Sequence, residues 1–247
     1  MTVHFEDLTL DWLGYATLRV ETDDTTVYFD PGRYGVLTGE WEPHVEGINH
    51  PPTQDYTAKD GDVVCVTHIH HYDPDGIRRV ASEDATVVLF EGINVHETDR
   101  DVDRPVDLDY EVVEVSMEDE LLAANCPIWT VPAYNEDDGP NLNDDGEPIH
   151  PKGIGCGFLI EIGGERVFWP GDSDVLPGHE ELDVDVFVPS IAKNYTMDRH
   201  SAAELAESMG PDLVLPIHYN TFESLEGDDE AFAVDVASRH VPVVLDH

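Results

Sequence analysis

An apolar run that ends in a knot of histidines constrains this chain more than any other feature. Asp62-Val63-Val64-Cys65-Val66-Thr67 leads directly into His68-Ile69-His70-His71-Tyr72-Asp73-Pro74-Asp75. The run reads as a strand. Residues two apart on a strand point the same way, so His68 and His70 at its end can converge on one metal ion. Three histidines and two aspartates within eight residues supply a dense set of nitrogen and oxygen donors. A solvated loop also gathers such residues, but other segments of the chain supply matching pieces.

The chain has 247 residues, 40% of them hydrophobic, enough for one large domain. No linker divides it, and residues 1–247 read as a single domain. No stretch approaches the ~18 apolar residues of a membrane span. The first residues lack the basic-then-apolar pattern of a signal peptide. Three scattered cysteines, Cys65, Cys126 and Cys156, suggest a reducing interior and a cytoplasmic protein.

The charge is extreme, with 54 acidic residues against 12 basic ones and a formal net charge of -42. In dilute salt such a chain repels itself; at 1 M the Debye length falls to ~3 Å and the repulsion is screened. The acid is spread along the whole chain, a pattern similar to that of proteins from extreme halophiles. With no basic stripe, a nucleic-acid partner is disfavoured, and a small molecule is the expected partner.

Strands are expected at 8–13, 17–21, 26–29, 62–67, 86–90, 107–117, 128–131, 157–162, 166–169, 185–189, 213–217 and 241–245. Helices are expected to begin at Asp73-Pro74, which suits a cap followed by a first-turn proline, and to cover 202–209, stopped by Gly210-Pro211, and 229–239. Residues 33–60 and 136–152 read as long loops that shape a pocket. Ligand-type residues recur at strand ends: His68 and His70, then Asp172 after 166–169, then His218 after 213–217. In α/β folds, loops at one sheet edge converge in this way.

Taken in order, several segments resemble the metallo-β-lactamase superfamily, and most closely its L-ascorbate-6-phosphate lactonase-like branch. They are Trp12-Leu13-Gly14-Tyr15-Ala16, Phe29-Asp30-Pro31, Thr67-His68-Ile69-His70, Val131-Pro132-Ala133-Tyr134-Asn135, Ile149-His150-Pro151-Lys152, Gly171-Asp172-Ser173-Asp174, Tyr195-Thr196-Met197-Asp198 and Pro216-Ile217-His218-Tyr219. The resemblance implies an α/β fold, a four-layer αββα sandwich, with one or two metal ions along one edge, usually zinc. It matches His68 and His70 to the first histidines of an H-x-H-x-D-H motif, Asp172 to a bridging aspartate and His218 to the last metal-binding histidine. The third histidine of the first site matches His150, or else lies on the loop that carries Tyr134.

The chain departs from H-x-H-x-D-H itself. Without a gap, Tyr72 replaces the aspartate and Asp73 the final histidine. With one residue inserted, His71-Tyr72-Asp73 matches His-x-Asp and Pro74 falls on the last histidine. Either register leaves Asp73 as a candidate ligand, compatible with its capping a helix. A carboxylate-richer second site leans toward manganese as the alternative to zinc.

The implied activity is that of a metal-dependent hydrolase. Metal-activated hydroxide would attack a small ester, lactone or phosphoester, with Asp172, Asp73 and Tyr134 as candidate catalytic groups. Lys152 and Lys193 stand beside site segments in a chain with only three lysines. With Tyr195, they are candidates for holding an anionic substrate group; Asn194 and Tyr219 could also polarise it. Two other readings remain. One is a non-catalytic or sensor-type metal-binding protein with a degenerate second site; the other is a nuclease of the same superfamily.

Overall fold

The strand at Gly61–Val66 is buried because it is covered on both faces. Val63 and Cys65 point into one apolar cluster, and Val64 and Val66 into another. The next strand repeats the alternation, with Val88 and Phe90 on one side and Val87 and Leu89 on the other. Such strands require a layer above and a layer below. The computed structural model, which describes residues 2–32, 56–97, 101–192, 194–221 and 225–246, supplies both.

Among these residues, the first sheet comprises β1 (Thr2–Phe5), β2 (Leu8–Gly14), β3 (Thr17–Glu21), β4 (Thr26–Phe29), β5 (Gly61–Val66), β6 (Ala81–Phe90) and β7 (Glu111–Val115), side by side in chain order. Strands β1 to β4 pair antiparallel, and β4 to β7 parallel. The second comprises β8 (Glu120–Ala123), β9 (Cys126–Ala133), β10 (Gly155–Ile162), β11 (Glu165–Trp169), β12 (Val186–Phe187) and β13 (Leu213–Val214), also in chain order across the sheet. Its antiparallel part is β8 to β11, and its parallel part β11 to β13.

The sheets face each other across a core that includes Leu10, Trp12, Phe29, Phe158, Ile160 and Trp169. Helix α1 (Pro74–Val80) covers the outer face of the first sheet through Ile77 and Val80. Helices α2 (Arg199–Met209) and α3 (Asp229–Ala237) cover the second, burying Ala202, Leu205, Phe232 and Val236. The result is the four-layer αββα sandwich.

Local chemistry sets the helix ends. Asp73 caps α1 by accepting from the backbone N–H of Asp75 and Gly76, with Pro74 in the first turn. Asp198 and Asp228 cap α2 and α3 in the same way, and Gly210 ends α2 at φ 65°. Gly76 lets α1 dock, since a Cβ there would stand 2.2 Å from the carbonyl oxygen of Pro31.

The structure departs from several sequence expectations: the strands expected at 185–189 and 213–217 are confined to Val186–Phe187 and Leu213–Val214, and the strand expected at 86–90 begins at Ala81. The segment expected as a strand at 107–117 holds strand structure only over Glu111–Val115, after a short helical turn at Pro105–Asp107. The segment expected over 241–245 makes a single bridge, Val243 to Val214, beside Pro242, which has no N–H to extend the pairing. Two strands, β1 and β8, have no counterpart in the sequence reading; β8 is a short edge strand with Leu122 68% exposed. Residues 33–55 of the expected long loop lie outside the described residues, as does Lys193. No described helix is long and apolar enough to cross a membrane.

Candidate metal centre

Thr67, just past β5, is the pivot of the site. Its N–H and hydroxyl donate to the two carboxyl oxygens of Asp30, each at 2.8 Å. Asp30 follows β4, is fully buried and has φ 45°, a strained value for a residue other than glycine. It also accepts from Trp169 Nε1 at 2.8 Å and lies 2.9 Å from His71 Nδ1. One carboxyl group thus ties together the ends of β4, β5 and β11. On the other side, His68 bridges to Gly155 at the start of β10.

That bridge requires glycine. A Cβ at position 155 would lie 2.7 Å from His68 Cβ and 2.9 Å from the Thr67 carbonyl oxygen, and neither atom can swing away. Gly155→Ala is expected to cost about 1–3 kcal/mol and to weaken metal binding through displaced His68. Thermal unfolding with and without metal checks this; an unchanged Tm together with unchanged metal affinity would refute it.

Five sequence candidates converge here. Asp172, in the turn after β11, sits at the centre. Its Oδ2 lies 3.5 Å from His150 Nε2 and 3.8 Å from His68 Nε2. Its Oδ1 lies 3.2 Å from His218 Nε2 and 3.8 Å from His71 Nε2. His70 Nδ1 is 3.1 Å from His150 Nε2. Two donor groups follow, His68 with His70 and His150, and His68 with His71 and Asp172. His218 has φ 60° and packs its ring edge-on against Tyr15, itself at φ 51°. Strained backbone at both residues marks a site that its surroundings over-determine.

Hydrogen bonds fix which ring nitrogen faces inward. The Thr67 hydroxyl gives its proton to Asp30, so His68 Nδ1 donates to Thr67 Oγ1 at 2.9 Å. His71 Nδ1 donates to Asp30. His150 Nδ1 donates to the oxygens of Asn135 and Tyr195, each at 3.3 Å. Asn135 is held in turn by Asp174 and the Tyr195 carbonyl. In all three rings the Nε2 lone pair points at the cluster, the arrangement of metal-ligating imidazoles with their outer partners. Buried His68 Nε2, Asp172 Oδ1 and both ring nitrogens of His218 make no hydrogen bond within the protein. Each such orphan costs about 1–3 kcal/mol. A cation among these donors would satisfy His68 Nε2, His218 Nε2 and Asp172 Oδ1 together, so the residues fit a metal.

Burial sets the protonation. It lowers His68 well below the ordinary 6.5, and lowers His150 and His218 too. Burial alone would raise the Asp172 carboxyl, but the surrounding imidazoles, His218 first, outweigh it and hold it well below the usual range. The imidazoles are therefore neutral and the carboxylate ionised, as a cation requires. In the metal-free protein, the unfolded state takes up protons before the folded state does. Stability then falls as pH drops below about 6.5, by up to about 1.4 kcal/mol per pH unit for each histidine. The Tm of chelator-treated protein is expected to fall between pH 7.5 and 5.5; a flat profile would contradict neutral histidines.

Asp73 stands outside both donor groups and serves as the α1 cap. Tyr134 and Tyr195 are half-buried, and exposed Lys152 holds its ammonium 5.4 Å from the centre of the Tyr134 ring. Sequence reasoning left Asp30 without a role and gave His71 one only in the register with an inserted residue. Both were visible, one in the histidine knot and the other in Phe29-Asp30-Pro31.

Residues 9–218 match the family model described as a beta-lactamase superfamily domain, a span that includes every donor above. This chain is a member of the metallo-β-lactamase superfamily. An Archaeoglobus fulgidus UPF0173 metal-dependent hydrolase is 28% identical over 243 residues, covering 96% of this chain and 94% of its own. A Salinibacter ruber protein of the same description is 27% identical over 237 residues, covering 90% and 89%. Among solved structures, a metallo hydrolase from Ignicoccus hospitalis superposes with a TM-score of 0.70 at 21% identity, covering 97% of this chain and 95% of its own. The superfamily fold thus extends over the chain.

Proposed function

We propose that this protein is a metal-dependent hydrolase of a small ester, lactone or phosphoester that carries an anionic group. The observation that carries the reading is the placement of Asp172, with one oxygen toward each of two sets of inward-facing imidazoles. A divalent cation bound there, zinc by preference, supplies a water of lowered pKa as nucleophile and positive charge for a developing oxyanion. The chain's own residues do the rest. Asn135 and the Tyr195 carbonyl hold His150 in its tautomer. Asp30 holds His71 and Thr67. Tyr134, Tyr195 and Lys152, near His150 in sequence or in ring contact with one another or with it, are assigned to hold the anionic group, and Lys193 is assigned the same role from its place in the sequence.

Lys152 lies two residues after His150 and supplies one of few positive charges in a chain with net charge -42. Lys152→Gln is expected to raise KM several-fold for an anionic substrate and leave kcat unchanged, the signature of uniform binding. An equal effect on a neutral ester would remove the anion-binding role.

The test of the whole reading is a panel of p-nitrophenyl esters, lactones, sugar-phosphate lactones and phosphodiesters, run in molar salt with and without zinc. The motif resemblance to the lactonase-like branch puts phosphorylated lactones first. Hydrolysis that needs the metal supports the reading. Tight metal binding with no turnover would favour the sensor alternative, which the slipped histidine motif motivates. Cleavage of RNA in preference to small esters would favour a nuclease. A single cytoplasmic domain, working in high salt, completes the proposal; buried free Cys65, Cys126 and Cys156 and the spread of acid support it.

A further inference from the structure

In the ungapped H-x-H-x-D-H register, His71 falls on a variable position and Asp73 on the last histidine; with one residue inserted, His71 takes the place of a motif histidine and Asp73 that of the aspartate. We propose that His71, not Asp73, completes a second cation position with His218 Nε2 and Asp172 Oδ1, and that this position selects zinc-like ions over manganese. The assignment rests on the hydrolase reading above.

Three observations carry it. His71 is 1% exposed, and its Nε2 faces the same oxygen of Asp172 that His218 faces, at 3.8 and 3.2 Å. The two rings stand edge to face, 4.9 Å apart, on one side of that carboxylate. Behind His71, Asp30 receives Nδ1–H at 2.9 Å and is anchored by Thr67 and Trp169, so the ring is held in the ligating tautomer.

Asp73 stands outside both donor groups among the described residues. Its Oδ1 accepts from the N–H groups of Asp75 and Gly76, at 3.0 and 3.2 Å, which anchors the side chain at the first turn of α1. The chain brings His71 inward by leaving the strand early. His71 N–H bonds to the His68 carbonyl, and Tyr72 N–H to the Ile69 carbonyl, which makes two overlapping turns where a strand would alternate. Two imidazoles and one carboxylate form a borderline donor set, which suits zinc, cobalt or iron(II) better than the oxygen-preferring manganese.

The test uses the full-length chain, stripped of metal and kept in molar salt, titrated with Co(II) and followed by its visible d–d absorption. Wild type is expected to take two equivalents. His71→Ala and His71→Gln are expected to take one, and the retained equivalent together with far-UV circular dichroism shows that they fold. Asp73→Asn keeps a good cap and is expected to take two. Asp30→Asn is expected to weaken the second equivalent about 10–100-fold. Mn(II), followed by its paramagnetic resonance, is expected to bind the second position at least tenfold more weakly than Co(II). The assignment is overturned if His71→Gln keeps both equivalents at wild-type affinity, if Asp73→Asn drops to one, or if Mn(II) matches Co(II). A wild type that takes one equivalent overturns it and leaves the hydrolase reading standing; a wild type that takes none overturns both.

Discussion

Asp172→Asn is expected to remove most bound metal and to lower any metal-dependent hydrolysis about 10²–10³-fold. Asp172 is central because its oxygens serve opposite sides, Oδ2 toward His68 and His150, and Oδ1 toward His71 and His218. Asparagine keeps the shape but turns one of those oxygens into an N–H donor. That donor would face either a cation or a set of imidazole lone pairs, and one side loses its anionic ligand outright. The metal-free fold depends on it too, since the surrounding imidazoles more than offset the cost of burying this carboxylate. The metal-free variant should therefore unfold somewhat below the wild-type temperature. Metal analysis after dialysis, with rates on the best substrate, checks the prediction. A full metal complement with activity within tenfold of wild type would show that Asp172 does not hold the metal.

The first sheet was legible because its strands obey simple alternation. Val63 to Val66 announce burial; the strand at 26–29 falls where the pattern puts it, the one expected at 62–67 runs Gly61–Val66, and the one expected at 86–90 begins earlier, at Ala81. The convergence of His68, His70, His150, Asp172 and His218 was also readable, since four of them follow expected strands and His150 was matched by resemblance.

His71 was readable only in the register with an inserted residue, and not from strand alternation, for a physical reason. Period-2 reasoning places it opposite His68 and His70, but the chain has already turned out of the strand at His68, so alternation no longer governs its side chain. Asp30 was hidden differently. Its partners Thr67, His71 and Trp169 lie 37 to 139 residues away in sequence, and no local pattern reports such contacts. The missed edge strand β8 carries only four residues, with Glu120 and Leu122 exposed, too little to separate a strand from a loop. Substrate choice was the least legible of all, because no spacing rule reads the shape of the loops around a pocket.

Salt removal is expected to destabilise this protein, the reverse of the behaviour of surface ion pairs that salt weakens. Four described arginines are each already shared between two or more carboxylates. Arg19 reaches Glu21 at 2.7 Å, Asp60 at 2.6 Å and Asp11 at 3.5 Å. Arg166 serves Glu161 and Asp183, Arg199 serves Asp228 and Asp235, and Arg239 serves Glu204 and Glu207. Such exposed pairs contribute about 0–1 kcal/mol each, and 12 basic residues cannot offset 54 acidic ones. The remaining carboxylates repel one another over a Debye length of about 30 Å at 0.01 M salt, comparable to the width of the domain, and over only about 3 Å at 1 M. Repulsion of that range acts across the whole molecule and favours the expanded chain. Tm is expected to fall by at least about 10 °C between 2 M and 0.05 M KCl, equivalent to about 2–5 kcal/mol for a chain of this size. Sodium chloride should substitute for potassium chloride at equal ionic strength, because screening does not depend on which monovalent cation provides it. A Tm that stays level or rises as salt is withdrawn would mean that the acidic surface is not under repulsive strain. A sharp preference for one cation would replace screening by specific binding as the cause.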